Sequence, residues 1–194
     1  PVSFGVAEHH MHFPGTISAK PGSWLSALFD VIESVLRHGI KKILILNGHG
    51  GNIAPIEGVF EQWKLYLIAT QNTSIKSIIP SDIKNHSEYL DAILNNDEND
   101  IDIRFNSYWD FIPKRIIDST LETKEYPGHA GEFETSLAMY ALPNIVRFDK
   151  VKSSSEIGIQ KSSSYKGKEL ANQSIMGVVN TISEMLLLHK DQSL

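Results

Sequence analysis

Residues Lys41 to Asn52 read KKILILNGHGGN, and the predicted fold follows from this stretch. The apolar run from Ile43 to Leu46 is short and unbroken, as in a strand that is buried on both faces of a parallel sheet. A glycine-rich turn ends the run, and a helical pattern of apolar residues begins at Ile53. Because ligands of open α/β sheets bind beyond the carboxyl ends of the strands, His49 is predicted to lie where a ligand binds.

This glycine-rich turn has three interpretations that the local sequence leaves open. His49, flanked by glycines, could bind a metal ion or take part in catalysis. The glycines could instead serve only the backbone, by allowing positive φ and close packing. The turn could also hold a phosphate at the start of the following helix. That last interpretation is the weakest, because the turn matches neither G-x-G-x-x-G nor a phosphate-binding loop that ends in Gly-Lys-Ser/Thr.

Composition limits the classes of protein and of site. The chain has 194 residues, enough for a real core, and we expect a single domain over residues 1–194. Its net charge of −5 gives no reason to expect a nucleic-acid partner. No apolar run reaches the length of a membrane span, so we expect a cytoplasmic protein without a membrane partner. Because cysteine is absent, a metal site must use histidine and carboxylate ligands.

The first half of the chain is predicted to alternate strands and helices. A strand over Val2 to Val6 precedes a helix that Ser23 caps and Gly39 ends. The strand from Ile43 to Leu46 and the helix after the glycine-rich turn follow, and Ile75 to Ile79 reads as the next strand. This order predicts a parallel sheet with right-handed crossovers.

The second half is predicted to be largely helical. A short helix over His86 to Leu94 is followed by a solvated acidic loop over Asn95 to Asp102. A helix from about Gly131 to Ala141 ends before Pro143. The last helix, Lys168 to Leu188, is predicted to pack through one apolar face, formed by Leu170, Ile175, Val179, Ile182, Met185 and Leu186.

A histidine cluster near the start is a candidate ligand site. His9, His10 and His12 lie in a turn-rich loop before Phe13. His9 and His10 are adjacent and cannot face one point from a regular element, whereas His10 and His12 could do so from an extended segment. A hydrogen-bonded loop with one exposed histidine is an equal alternative.

The segment from Tyr126 to Ser136 reads YPGHAGEFETS and contains a second set of candidates. His129, Glu132 and Glu134 all lie at the entrance of the predicted helix. A histidine three residues before a carboxylate suits metal binding or acid/base catalysis. Glutamates in a first helical turn also stabilise the helix through its dipole, so a structural role stays open for each.

Three segments together resemble the creatininase (creatinine amidohydrolase) family. They are FGVAEHHMHFPGT from Phe4 to Thr16, LNGHGGN from Leu46 to Asn52, and GHAGEFETS from Gly128 to Ser136. The resemblance covers essentially the whole chain and implies a three-layer α/β/α fold with a mostly parallel sheet. It also implies a hydrolase of a C–N bond in a small cyclic amide or formamide, with two divalent metal ions (Zn, Mn or Fe) as cofactors.

The resemblance assigns metal ligands. His49 matches the metal-ligand histidine of the glycine turn. Creatininase has a glutamate ligand two residues later, where this chain has Gly51, and Glu132 could supply the missing carboxylate. The family's other ligands, a Glu-x-His pair and a bridging aspartate, lie in an opening segment that would precede Pro1. We therefore expect that the complete protein has such a segment.

The resemblance also assigns catalytic and substrate-lining residues. His129 matches the histidine that handles protons during ring opening, and Glu134 accompanies it in catalysis, either as a ligand or by orienting one. His10 is expected to line the substrate site. Trp109 could also line it, although its aromatic neighbours make a core position the safer interpretation.

The family resemblance implies partners and leaves one alternative. The expected partners are a small-molecule amide substrate and further copies of the chain in a homo-oligomer, a hexamer by resemblance. The alternative is a binding or assembly protein that keeps the creatininase fold but has an incomplete metal site and no reaction.

Overall fold

The structure is a computed structural model that describes residues 2–71, 85–88 and 100–187. These residues form two compact units, the first within Pro1–Phe105 and the second within Asn106–Leu188. The single domain over residues 1–194 stays a prediction.

An amphipathic helix organises the core of the first unit. Helix α1 spans Pro21–Arg37, with Lys20 as its N-cap and the proline in its first turn, so the predicted cap at Ser23 is wrong. Gly39 follows the helix at φ 83°, the left-handed conformation that favours glycine at a helix end. The apolar face of α1 and the residues that it meets form this core: Trp24, Leu28, Ile32, Leu36, Val6, Ile56, Leu67 and Ile103.

Two parallel strands pair beside this core. They are β1, Lys42–Asn47, and β2, Asp102–Ser107. The predicted strand is confirmed, but it is not buried on both faces, because Leu46 is 50% exposed. Strand β2 was not predicted from the sequence, and Asp102 was expected in an acidic loop. A 3-10 turn over Gly50–Asn52 follows β1 and leads into two helices, α2 over Ile53–Glu57 and α3 over Phe60–Gln71.

The segment before α1 is not the strand that was predicted over Val2 to Val6. Its backbone groups bond mainly to side chains rather than to a neighbouring strand. The N–H of Val6 donates to Asn52 Oδ1 at 2.9 Å, and the N–H of Ala7 donates to Ser18 Oγ at 3.0 Å. Apolar composition alone does not reveal such side-chain acceptors, so the strand prediction failed here.

The second unit is built from helices and 3-10 turns. The predicted helix over Gly131 to Ala141 is confirmed, with Gly131 as its N-cap. The elements are a 3-10 turn at Tyr108–Phe111, α4 at Lys114–Thr120, α5 at Glu132–Ala141, a 3-10 turn at Pro143–Ile145, α6 at Phe148–Lys152, α7 at Ile157–Gln160 and α8 at Ser164–Leu187.

Helix α8 packs through a different face from the one predicted. Leu170 and Met185 are buried, but the other four predicted packing residues are exposed by 43% to 60%: Ile175, Val179, Ile182 and Leu186. The buried face instead includes Gly167 and Ser174, and Ser174 Oγ donates to the carbonyl of Tyr108 at 2.8 Å. Small residues let helices approach closely, and a pattern of large apolar residues does not identify them.

Some predicted elements lie outside the described residues. These are the strand over Ile75 to Ile79, the end of the helix over His86 to Leu94, and the first part of the acidic loop. Residues 86–88 are helical. Across the ranges that the structure describes, no helix is both long enough and apolar enough to span a bilayer.

Candidate functional site

Three imidazole rings meet at the carboxyl end of β1. A 3-10 turn over Glu8–His10 brings His9 and His10 beside His49. The ring centroids of His9 and His49 are 5.6 Å apart, those of His10 and His49 are 6.0 Å apart, and those of His9 and His10 are 4.0 Å apart. His9 was among the candidate histidines of this loop, but His9 and His10 were not expected to face one point, and His10 was paired with His12 instead. A 3-10 turn has no strict alternation, so both rings belong to this histidine cluster.

Hydrogen bonds orient the His49 ring. Its Nε2 lies 3.1 Å from the carbonyl oxygen of Val6. A carbonyl only accepts, so Nε2 carries a hydrogen, and in the neutral ring Nδ1 is then the nitrogen with the lone pair. The N–H of His49 donates to Asn47 Oδ1 at 3.1 Å, which fixes the backbone of the turn. Histidines that bind metals commonly donate one ring N–H to a backbone carbonyl in this way, which leaves the other nitrogen for the ion.

Gly51 gives the Val6 carbonyl and the histidine rings the room that they occupy. A Cβ at this position would lie 1.9 Å from the Val6 oxygen and 2.7 Å from both His49 Nε2 and His9 Cε1. No side chain fits there without displacing these groups. Position 51 therefore cannot hold a carboxylate in this conformation, and His9 packs where its stem would begin.

A cavity of about 700 Å³ opens beside the turn within the first unit. Its polar side chains come from Ser3, Asn47, His49 and Asn52, and its apolar lining includes Phe4 and Trp24. Asn52 is buried, and its Nδ2 donates to Asn47 Oδ1 at 3.1 Å. A largely apolar hollow with a few fixed polar groups is the usual form of a small-molecule site. His10 is not among the residues that line it.

The described residues do not provide a complete metal site. Within residues 2–71, 85–88 and 100–187, no three histidine, aspartate or glutamate side chains are arranged to hold one ion. Zinc sites in proteins use three or four protein ligands. His49 has the orientation of a ligand, but the set around it does not fit a metal by itself.

The second unit presents His129 on an exposed loop before α5. The side chains of the first turn of α5 fix the backbone next to it. Glu134 Oε2 accepts from the N–H of Ala130 at 2.7 Å, and Thr135 Oγ1 donates to the carbonyl of Ala130 at 3.1 Å. Ala130 has φ 50°, a left-handed conformation that is costly for a residue with a side chain. The loop that carries His129 is therefore held in a defined shape by α5.

Glu132 lies at the first position of α5 and is 1% exposed. Its carboxylate accepts from the N–H of Glu122 at 3.1 Å, from the N–H of Thr123 at 2.8 Å and from Thr123 Oγ1 at 2.9 Å. It also forms an ion pair with Lys166. Its predicted role as a metal ligand is untested, but these contacts already satisfy the charge and hydrogen bonds of a buried carboxylate.

These contacts make the stability of the fold dependent on pH. Burial works to raise the pKa of Glu132, but Lys166 and the donors at residues 122 and 123 outweigh it, so the pKa lies below its ordinary value of 4.5. A lowered pKa stabilises the fold above the unfolded pKa, and this contribution is lost as pH falls through the folded pKa. We expect the free energy of unfolding to fall on acidification below about pH 4.5.

Denaturant unfolding at a series of pH values measures this dependence, with Glu132→Gln as the comparison. The free energy of unfolding of the variant should fall less on acidification, because a glutamine side chain does not titrate. If the free energy of unfolding fell equally steeply with pH in the two proteins, Glu132 would not be a cause of the pH dependence.

Trp109 is 5% exposed, in keeping with the core interpretation, and its ring meets that of Tyr108 edge-on at 4.9 Å. Burial raises the pKa of the Tyr108 hydroxyl, and the charge of Glu134 adds to this effect. Tyr108 therefore stays protonated at neutral pH. A substrate-lining role for Trp109 stays a prediction.

The chain matches a known protein family over most of its length. The sequence model of the creatininase family, described as creatinine amidohydrolase, matches residues 1–183. A creatinine amidohydrolase of Pseudomonas putida is 24% identical over 144 residues, which are 72% of this chain and 45% of that protein. The match thus spans less than half the length of this curated relative.

Solved structures agree in fold. The crystal structure of creatinine amidohydrolase (creatininase) has a TM-score of 0.62 and 21% identity, covering 89% of this chain and 67% of that chain. A Glu-to-Gln mutant of creatininase complexed with creatine has a TM-score of 0.62 and 20% identity, covering 89% of this chain and 68% of that chain. The predicted α/β fold of creatininase type is confirmed, and the chain belongs to the creatininase family.

Proposed function

We propose that this chain hydrolyses the C–N bond of a small cyclic amide or formamide. The observation that carries the proposal is the presentation of His129, exposed on a loop whose backbone is fixed on both sides of Ala130 by Glu134 and Thr135. A proton donor must be reachable by the substrate and held in one position. Membership of the creatininase family supports the class of reaction.

The reaction needs a proton at the leaving nitrogen. Water adds to the carbonyl carbon, the C–N bond breaks, and the nitrogen leaves as an amine only if it receives a proton. We assign this transfer to the imidazole of His129, which returns to its starting state by taking the proton that the water loses. Glu134 keeps the loop in place through the N–H of Ala130.

We also propose that His49 binds a divalent transition metal through Nδ1. The Nε2–H bond to Val6 supports this, as does a solved mutant creatininase of Zn-Zn type with a TM-score of 0.62. A metal ion held there would supply Lewis-acid activation of the amide carbonyl. His49 needs additional ligands for this, because the described residues do not complete the set.

Metal content tests this part of the proposal. Elemental analysis of protein purified without added metal or chelator should find about two transition-metal ions per chain, as in a two-metal site. His49→Ala should lower this number by at least one. His38→Ala is the matched control, because His38 is exposed at the end of α1, and it should leave the metal content unchanged. Equal metal content in all three proteins would remove His49 from the site.

A second candidate is a creatininase-fold binding or assembly protein without the reaction. The contacts of Glu132 favour it, because a carboxylate that already holds Lys166 and two backbone N–H groups is not free for a metal. Metal-free, folded protein that still binds a small cyclic amide in calorimetry would favour this candidate. We further propose self-association, for which the exposed apolar residues of α8 are a candidate surface.

A further inference from the structure

We infer that Lys166 is a positioning residue for His129 and that it acts through Glu132. The inference rests on the proposed role of His129 in catalysis. Lys166 lies in the first turn of α8, distant in sequence from the loop, and no sequence motif gave it a role.

The ammonium of Lys166 joins three parts of the second unit. Its Nζ donates to Glu132 Oε1, to Glu122 Oε1 at 2.9 Å and to the carbonyl of Lys161 at 2.8 Å. The side chain of Lys166 is 16% exposed and that of Glu132 is 0% exposed. A buried carboxylate is stable only with a paired cation and satisfied hydrogen bonds. Lys166 is thus the group that allows Glu132 to stay charged in this position.

Glu132 in turn links the two ends of the loop that carries His129. Its two carboxylate oxygens accept from the N–H groups of Glu122 and Thr123, where the loop begins, while Glu132 itself begins α5, where the loop ends. The loop between them carries His129. If Glu132 lost its cation, its side chain would have to move towards water or become protonated. Its hydrogen bonds to Glu122 and Thr123 would then weaken, and the two ends of the loop would no longer be held together.

The chain offers a matched pair of lysines for the test. Lys166→Met removes the ammonium that contacts Glu132 and keeps much of the apolar stem. Lys161→Met is the control, because Lys161 Nζ pairs with Glu122 at 3.3 Å and has no ion pair with Glu132 among the described contacts. Amide hydrogen exchange at Glu122 and Thr123 and the imidazole NMR signals of His129 provide readouts that need no substrate.

We expect Lys166→Met to speed exchange at both amides about threefold to tenfold, as expected for the loss of one hydrogen bond, and to shift the His129 signals. Lys161→Met should match the wild type in both readouts. Wild-type exchange and unchanged His129 signals in Lys166→Met would overturn the inference. An equal effect of the two substitutions would overturn the inference too, because the loss of any positive charge beside Glu122 would then explain the result.

A double variant covers the case in which Lys166→Met does not fold. Replacing a buried ion pair by two apolar residues often leaves stability unchanged, so Lys166→Met/Glu132→Leu should fold. It should show faster exchange at Glu122 and Thr123 and altered His129 signals at an unchanged melting temperature. Wild-type loop behaviour in this variant would contradict the inference.

Activity separates the inference from the proposed function. If the chain hydrolyses creatinine, Lys166→Met should lower kcat more than it raises KM and should shift the pH profile, while Lys161→Met should change neither. If no amide is turned over, the exchange and NMR results still decide whether Lys166 positions the loop. Failure of the hydrolysis alone would count against the proposed function only.

Discussion

Gly51→Ala is expected to destabilise the first unit by about 1–3 kcal/mol, the usual cost of overpacking. The added Cβ would lie 1.9 Å from the Val6 carbonyl oxygen, so either the turn or the segment before α1 must move. That movement would also break the contact between His49 Nε2 and Val6, since the same oxygen is involved. Denaturant unfolding measures the loss of stability, and the imidazole NMR signals report the rearrangement of the histidine cluster.

Two glycines of the same turn provide controls. A Cβ at Gly48 or Gly50 meets nothing within 4 Å, and neither residue has a positive φ. Gly48→Ala and Gly50→Ala should therefore stay close to the wild type in stability and in histidine signals. Gly51→Glu should destabilise like Gly51→Ala rather than add a ligand. If all three alanine variants behaved alike, close packing at Gly51 would not be the cause.

His129→Gln is expected to lower kcat for amide hydrolysis by about 10²–10⁴-fold, the range for loss of a general acid/base. Glutamine can still form hydrogen bonds but cannot supply a proton at neutral pH. His129 is exposed, so its replacement should leave the melting temperature unchanged. Steady-state kinetics with creatinine and other small cyclic amides, followed by release of the amine product, provides the measurement.

His12→Gln is the matched control for this prediction, because His12 is also exposed but lies in the first unit, where its ring packs on Phe13. It should retain wild-type kcat. Turnover by His129→Gln at the wild-type rate would remove this residue from the proposed mechanism, whatever the metal content of the protein.

The sequence predicted the elements whose local signals are strong. The run Ile43 to Leu46 and the glycines after it predicted β1 and its turn, since the signal for each lies within a few neighbouring residues. Gly131 and Pro143 bound the predicted α5 for the same reason. The three motifs predicted the family, and the family predicted the fold.

The parts of the fold and of the site that the sequence did not predict depend on contacts that local sequence patterns do not show. The pairing of Glu132 with Lys166 could not be predicted, because 34 residues separate them and a glutamate in a first helical turn already has a simpler explanation. The meeting of His9 and His10 was not predicted, because a 3-10 turn places neighbouring rings together. Val2 to Val6 was read as a strand because its apolar residues look the same whether their backbone bonds to a strand or to Asn52.

The left-handed backbone of Ala130 has a consequence for how the GHAG motif can be used by protein engineers. An alanine in this conformation costs about 1–2 kcal/mol, and the side chains of Glu134 and Thr135 hold it there. The motif is therefore not portable: grafted onto another scaffold without the first turn of α5, the peptide would relax and its histidine would point elsewhere. Any segment moved to another scaffold must therefore include Glu134 and Thr135.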